Sequence, residues 1–194
     1  MNASWMDIET KNDKEVSEFR KQRKKIIGTP KNDRLKGTDQ KDIIHGLNGN
    51  DRLIGNIGSD QLVGGKGDDI LDGFAPRIIL TSFPAVAVGD DFDILSGGKG
   101  ADRFILGKAG YLNSFYSQKG YATITDFKQS QGDKIQILDG LDQYQLVTQR
   151  NYGGSSAKDT AIFREGNLIA VVYDVTNLTA QDFRSVVNRP IIGP

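Results

Sequence analysis

From Gly28 to Ile105 the chain repeats itself every nine residues, and that period restricts its fold more than any other feature. The blocks are GTPKNDRLK (28–36), GTDQKDIIH (37–45), GLNGNDRLI (46–54), GNIGSDQLV (55–63) and GGKGDDILD (64–72). After an interruption come VGDDFDILS (88–96) and GGKGADRFI (97–105). The sixth position is always Asp: Asp33, Asp42, Asp51, Asp60, Asp69, Asp93 and Asp102. The eighth is always large and apolar: Leu35, Ile44, Leu53, Leu62, Leu71, Leu95 and Phe104. Glycine favours positions one, two and four, and holds all three in the blocks starting at Gly64 and Gly97. A unit with one apolar side chain cannot bury it alone, so such units have to stack.

The pattern resembles the G-G-x-G-x-D-x-U-x nonapeptide of RTX (hemolysin-type) calcium-binding proteins. The resemblance spans roughly residues 28–183, closely over the repeats and more loosely after them. It implies an all-β chain built on a right-handed parallel β-roll, with two nonapeptides per coil. Each nonapeptide then gives a six-residue turn and a three-residue strand. Position eight points inward; seven and nine point outward, where Ile43, Ile54, Val63 and Ile105 are apolar exceptions. Alternate turns stack, with Asp33, Asp51, Asp69 and Asp102 on one side and Asp42, Asp60 and Asp93 on the other.

The resemblance also implies the ligands: each Asp, with backbone oxygens of positions one to four. These are Gly28, Pro30, Gly37, Asp39, Gly46, Leu47, Asn48, Gly49, Gly55, Asn56, Ile57, Gly58, Gly64, Gly65, Lys66, Gly67, Gly89, Asp91, Gly98 and Gly100. Positions one and three of one turn would face positions two and four of the next on the same side. About five inter-turn Ca²⁺ sites follow. The best is Asp51/Asp69 (Gly46, Asn48, Gly65, Gly67), then Asp69/Asp102 (Gly64, Lys66, Gly98, Gly100). Asp42/Asp60 is intermediate. Thr29, Lys31, Thr38, Gln40, Val88 and Asp91 occupy usual glycine positions, so Asp33/Asp51 and Asp60/Asp93 are expected to be weaker. The next Asp in phase would fall at Tyr111, which ends the series; Asp126 is a candidate for a further site near the cap, with a surface role weighed above it.

The physical chemistry of the residues agrees. Seven inward side chains bury too little to order turns this rich in glycine, which loses the most backbone freedom on folding. Stacked carboxylates also repel. The repeats should therefore be disordered until something binds the turns. Carboxylate and carbonyl oxygens, with no Cys in the chain, select calcium over zinc or copper. Magnesium gives up its waters too reluctantly for such a cage.

The rest of the chain reads as a leader and a cap. Residues 1–27 are polar, with a helix expected over Asp13–Lys25 and a basic run from Arg20 to Lys25. Residues 73–87, GFAPRIILTSFPAVA, interrupt the period as an excursion that restores the phase. Residues 106–194 form a strand-rich cap, with strands at 122–127, 133–138, 144–148, 160–164 and 168–173. A tight turn at Glu165-Gly166-Asn167 joins the last two, and a helical turn is expected within 177–187.

Other chemistry finds little support. With 25 basic and 25 acidic residues the bulk charge does not suit nucleic acid. His45 is the single histidine, at an outward position. Asp68-Asp69 and Asp90-Asp91 are simplest as ligands or solvated charges, and GGKGDD lacks the spacing of a phosphate-binding loop. The leading expectation is a non-enzymatic, calcium-binding, exported protein, extracellular or on the cell surface. Its route would be type I secretion without an N-terminal signal peptide or a transmembrane segment. Two other readings stay open: an adhesion or surface-interaction protein using 73–87 or the basic leader, and a small hydrolase with its site in the cap.

Overall fold

The computed structural model describes residues 23–74, 91–109, 120–148, 150–153, 155 and 157–187. Its strands are β1 (Lys24–Ile27), β2 (Arg34–Lys36), β3 (Asp42–Asn48), β4 (Arg52–Asn56), β5 (Gln61–Lys66), β6 (Ile70–Phe74) and β7 (Phe92–Lys99). There follow β8 (Arg103–Ile105), β9 (Tyr121–Ile124), β10 (Lys134–Leu138), β11 (Tyr144–Val147), β12 (Thr160–Arg164), β13 (Asn167–Val172) and β14 (Phe183–Val186). Successive strands of the repeats alternate between two sheets. One has the order β1-β3-β5-β7-β9-β13-β12-β11 and the other β14-β10-β8-β6-β4-β2. Pairing is parallel from β1 to β13 and across the whole second sheet; only β13-β12-β11 is antiparallel. This is a β-roll.

The eighth-position residues set its register. Ile44, Leu62, Leu95 and Ile124 align across one sheet, and Leu35, Leu53, Leu71, Phe104 and Ile135 across the other. All are fully buried except Leu35, which lies on the end coil and is only partly covered. The apolar exceptions at outward positions are half-buried at Ile43, Ile54 and Val63 and buried at Ile105.

The cap continues both sheets rather than closing them from outside. β9 and β13 extend one, β10 and β14 the other. Its strands fall where the sequence puts them. Glu165 and Gly166 both take positive φ, 51° and 77°, as a two-residue hairpin turn requires. Arg164 pins the turn after β10: its Nη1 donates to the Leu138 carbonyl (2.9 Å) and Tyr144 hydroxyl (3.0 Å), its Nη2 to Asp139 (2.9 Å).

Two expectations need correction, and a third, the helical turn within 177–187, is met by a 3-10 turn that a strand follows. The end of the leader is a strand: Lys24–Ile27 pairs with β3 because Ile26 continues the inward row beside Ile44. The remainder of the expected helix, from Asp13 to Gln22, lies outside the described residues. Residues 177–187 hold one 3-10 turn, Ala180–Asp182, and then β14, because Phe183 aligns inward beside Ile135. The interruption falls inside a turn rather than before it. The Gly73 carbonyl faces Gly55, the place of a first-position residue, so Gly73 and not Val88 opens the turn that ends at Asp93. Most of 73–87, with Val88 and Gly89, lies outside the described residues.

Glycine at positions two and four has a definite cause. Gly49, Gly58, Gly65, Gly67, Gly98 and Gly100 all have φ between 102° and 128°. Leu47 and Asn56, at position two, adopt φ of 89° and 81°; leucine disfavours such a value, while asparagine is among the side chains that tolerate it best. A Cβ on Gly67 would in addition meet the Gly49 carbonyl and Asn50. Gly67→Ala should therefore destabilise the calcium-loaded protein by about 1–3 kcal/mol. Leu47→Gly should stabilise it by about 0.5–1 kcal/mol, after the extra freedom of glycine in the unfolded chain is counted. Denaturant midpoints at saturating calcium test both; equal shifts of the same sign would refute this account of the turns.

Candidate metal centres

Each turn holds its Asp in a ladder. The backbone N–H of one Asp donates to Oδ1 of the Asp one coil later: Asp33 to Asp51, Asp42 to Asp60 and Asp51 to Asp69, each at 2.8 Å. Asp60 to Asp93 (2.8 Å) and Asp69 to Asp102 (2.9 Å) continue it. The carboxylates are thus fixed in direction, and from Asp42 onward they are almost fully buried.

The second oxygen differs along the ladder. In the first two turns a threonine takes it: Thr29 N–H and hydroxyl donate to Asp33 Oδ2 (2.6 and 2.9 Å). Thr38 does the same for Asp42 (2.5 and 2.9 Å). At Asp51, Asp60, Asp69 and Asp102 the Oδ2 atom is buried with no hydrogen-bond partner. Asp42 Oδ1, which would need a donor from the coil before it, is also unpartnered.

These oxygens face others. Asp51 Oδ2 and the Gly64 carbonyl oxygen both lie within 3 Å of where a side chain on Gly46 would begin. Asp69 Oδ2 and the Gly97 oxygen meet in the same way at Gly64, and Asp60 Oδ2 and the Gly73 oxygen at Gly55. From the preceding turn, the Leu47 and Gly49 carbonyls point forward to Gly65 and Gly67, and those of Gly65 and Gly67 to Gly98 and Gly100. The third-position carbonyl of the later turn points back: Lys66 accepts from Gly49 N–H, and Lys99 from Gly67 N–H, both at 2.8 Å. The gaps Asp51/Asp69 and Asp69/Asp102 are therefore lined by oxygens of positions two, four and six from the earlier turn and one and three from the later. This reverses the expected order. Positive φ at positions two and four turns those peptide planes forward, while one and three keep the ordinary strand direction. Among the described residues no three acidic or imidazole side chains converge on one point, so a cation here must draw on backbone oxygens.

Four copies of the RTX calcium-binding nonapeptide repeat match the chain, over residues 27–62, 54–75 and 86–108. These are RTX calcium-binding repeats. Among solved structures, the AlgE6R3 subunit of the mannuronan C5-epimerase from Azotobacter vinelandii is similar at 21% identity. That match covers 84% of this chain and 83% of that one, with a TM-score of 0.29. No curated protein matches.

The RTX turns fit a hard cation, by their unpartnered buried carboxylates and all-oxygen lining. Gap by gap, the threonines leave Asp33/Asp51 and Asp42/Asp60 with the Oδ2 atom of the first carboxylate already hydrogen-bonded. Asp60/Asp93 has an open one, and so fits better than its sequence suggests. There Asp91, at position four, accepts from Gly58 N–H (3.2 Å). His45 lines a shallow surface cavity of about 460 Å³ with Leu47, Val63, Lys66 and Lys99, away from the carboxylates.

Three contributions escaped the sequence reading. Asp133 extends the ladder, its Oδ1 accepting from Asp102 N–H (3.0 Å) and its Oδ2 from Lys128 N–H (2.8 Å). The signal was there, since Asp133-Lys134-Ile135 repeats the Asp-x-apolar triplet, but 31 residues separate it from Asp102. Asp126 is not a free surface residue: it accepts from Gly97 N–H, Gly98 N–H and the Ser96 hydroxyl, at 2.8–2.9 Å. Position five makes a second ladder, with Asn50 N–H donating to Asn32 Oδ1, Asp68 N–H to Asn50 Oδ1 and Ala101 N–H to Asp68 Oδ1. Asp68 is exposed, a solvated charge that also takes one structural hydrogen bond.

Burial pushes Asp60 up to about 8, Asp102 to about 7 and Asp69 to about 6; an N–H bond opposes it and neighbouring carboxylates add to it. Asp51 and Asp133 are raised by burial too. Without metal, the folded coil keeps protons that the unfolded chain loses near its ordinary value of 3.8. Metal-free stability must then fall as pH rises from about 4 to about 8. Calcium needs the charged form and releases those protons. Calcium-free protein should show more strand circular dichroism at pH 5 than at pH 8, and calcium-saturated protein the opposite order; a metal-free signal rising with pH would contradict the assignment.

Proposed function

We propose that the chain is a non-enzymatic module of an exported protein that folds when calcium enters the gaps between its stacked turns. The observation that supports this best is the run of buried, unpartnered Oδ2 atoms at Asp51, Asp60, Asp69 and Asp102, each aimed into a gap. A carboxylate so placed must take a proton, remain charged at high cost, or bind a cation. On this reading the gaps Asp51/Asp69, Asp60/Asp93, Asp69/Asp102 and Asp102/Asp133 hold calcium most tightly. The two threonine-capped gaps hold it weakly.

Extracellular calcium modules work at about 10⁻⁴–10⁻³ M, far above cytosolic levels. The coil would stay open inside the cell and close outside, which suits passage through a secretion channel as an unfolded chain. The non-enzymatic part draws support from the cap, where three of the described carboxylates are engaged in structural bonds. Asp159 accepts from Tyr152, Gly153 and Asp174 N–H groups, Asp182 caps Thr179, and Asp139 holds Arg164.

Circular dichroism during a calcium titration, reversed by EGTA and controlled with magnesium, tests the reading. Asp69→Asn should raise the calcium midpoint about ten-fold or more, since Asp69 serves two gaps. Asp33→Asn should move it by about two-fold at most, because Thr29 already occupies its oxygen. A spectrum unchanged by exhaustive chelation would end the proposal.

A further inference from the structure

The sequence contains a single Asn-Gly pair, Asn48-Gly49, and it falls at positions three and four of a calcium turn. Asn48 ends β3 in register with Lys66, and its side chain is exposed. The amide that follows is tightly held. Gly49 N–H donates to the Lys66 carbonyl at 2.8 Å. Its φ is 107°, and a Cβ there would meet Lys31 and Asn32 of the coil before. The carbonyls on either side of Asn48, those of Leu47 and Gly49, point at Gly65 and Gly67 across the Asp51/Asp69 gap. Asn50 differs on both counts: Asp51 follows it, and its Oδ1 accepts from Asp68 N–H at 3.0 Å.

We propose that Asn48 is a modification site, open while the chain lacks calcium and shut once the coil forms. The reaction needs only water. The Gly49 backbone nitrogen gives up its proton and bonds to Asn48 Cγ; the Cγ–Nδ2 bond breaks, and ammonia leaves with that proton. Water then adds to either carbonyl of the cyclic imide and leaves an aspartate or an isoaspartate at position 48. Glycine in the next place favours the first step, because no Cβ hinders the nitrogen and the unfolded backbone turns freely. The coil opposes it twice. The proton of that nitrogen is bound to Lys66, and the pairing of Asn48 with Lys66 keeps the backbone extended, which turns the nitrogen away from Cγ. An isoaspartate routes the chain through its side-chain carbon, so an extra methylene separates the Leu47 carbonyl from that of Gly49. The two then no longer face Gly65 and Gly67 together, and the Asp51/Asp69 gap loses its lining. The site thus records, irreversibly, how long the turns stay unfilled. The inference rests on the calcium-dependent folding proposed above.

The test incubates the full chain at mildly alkaline pH in calcium, in magnesium and in EGTA, with circular dichroism on each sample. Peptide mass spectrometry and labelling by isoaspartyl methyltransferase read position 48. Isoaspartate should form there about ten-fold more slowly, or slower still, in calcium than in EGTA, because the reaction then draws only on the opened fraction. Magnesium should not protect. Chain aged in EGTA should need about ten-fold more calcium to fold. Prolonged treatment with the methyltransferase and its methyl donor, which returns isoaspartate to aspartate, should bring the midpoint back. Asn48→Gln, whose longer side chain closes such a ring far more slowly, should keep its own midpoint through the same ageing; Asn48→Ser replaces it if that change disturbs folding. Two results would overturn the inference while leaving the calcium reading intact. One is equal rates at position 48 in calcium and EGTA although the spectrum shows calcium-driven folding. The other is an isoaspartate at position 48 that leaves the midpoint where it was. A spectrum indifferent to calcium would instead strike the folding reading itself, and this inference with it.

Discussion

The structure depends on one local arrangement: an aspartate whose first oxygen is fixed by the coil before it and whose second is left facing carbonyls. Oδ1 of Asp51, Asp60, Asp69, Asp93 and Asp102 accepts a backbone N–H, and this aims the whole carboxylate. What remains is a negative oxygen among partial negative charges, which is unfavourable in any folded protein unless a proton or a cation intervenes. The flipped peptides at positions two and four create that arrangement and also explain the glycines. Backbone conformation and ion requirement are here two sides of the same geometry.

The roll has two kinds of interior. Between the sheets it is apolar and gains steadily toward the cap, where Ile124, Ile135, Ile137, Ile162, Ile169 and Val172 are fully buried. At the turns it is polar and incomplete. The end turns are finished by the chain itself: Thr29 and Thr38 at one end, and Lys128 N–H with Asp133 at the other. The middle turns are not, so unpartnered Oδ2 atoms are concentrated where the nonapeptides come closest to the repeat.

Much of this was legible in the sequence for a simple physical reason. Inward residues recur with period nine, and no other stacking buries all of Ile44, Leu53, Leu62, Leu71, Leu95 and Phe104 at once. What was not legible depended on direction rather than position. Carbonyl orientation follows from φ at positions such as Leu47, a residue whose type argues against the value it adopts. Asp133 was hidden because a coil that swaps repeat turns for a 3-10 segment at Gln129–Gln131 keeps its spatial pitch while losing its sequence pitch. Thr29 and Thr38 looked like defects in a glycine pattern; they are donors that quench the carboxylate four residues on.

The turn between Gly73 and Asp93 has a consequence for how such coils vary. Gly73 and Asp93 occupy ordinary first and sixth places, and β5 and β7 remain in step, Leu62 beside Leu95. The bend therefore tolerates a long detour between two fixed posts, and lengthening such a detour adds closure entropy only slowly. One corner of the spiral works as a socket into which foreign chain can be spliced while the strands on either side keep their alignment.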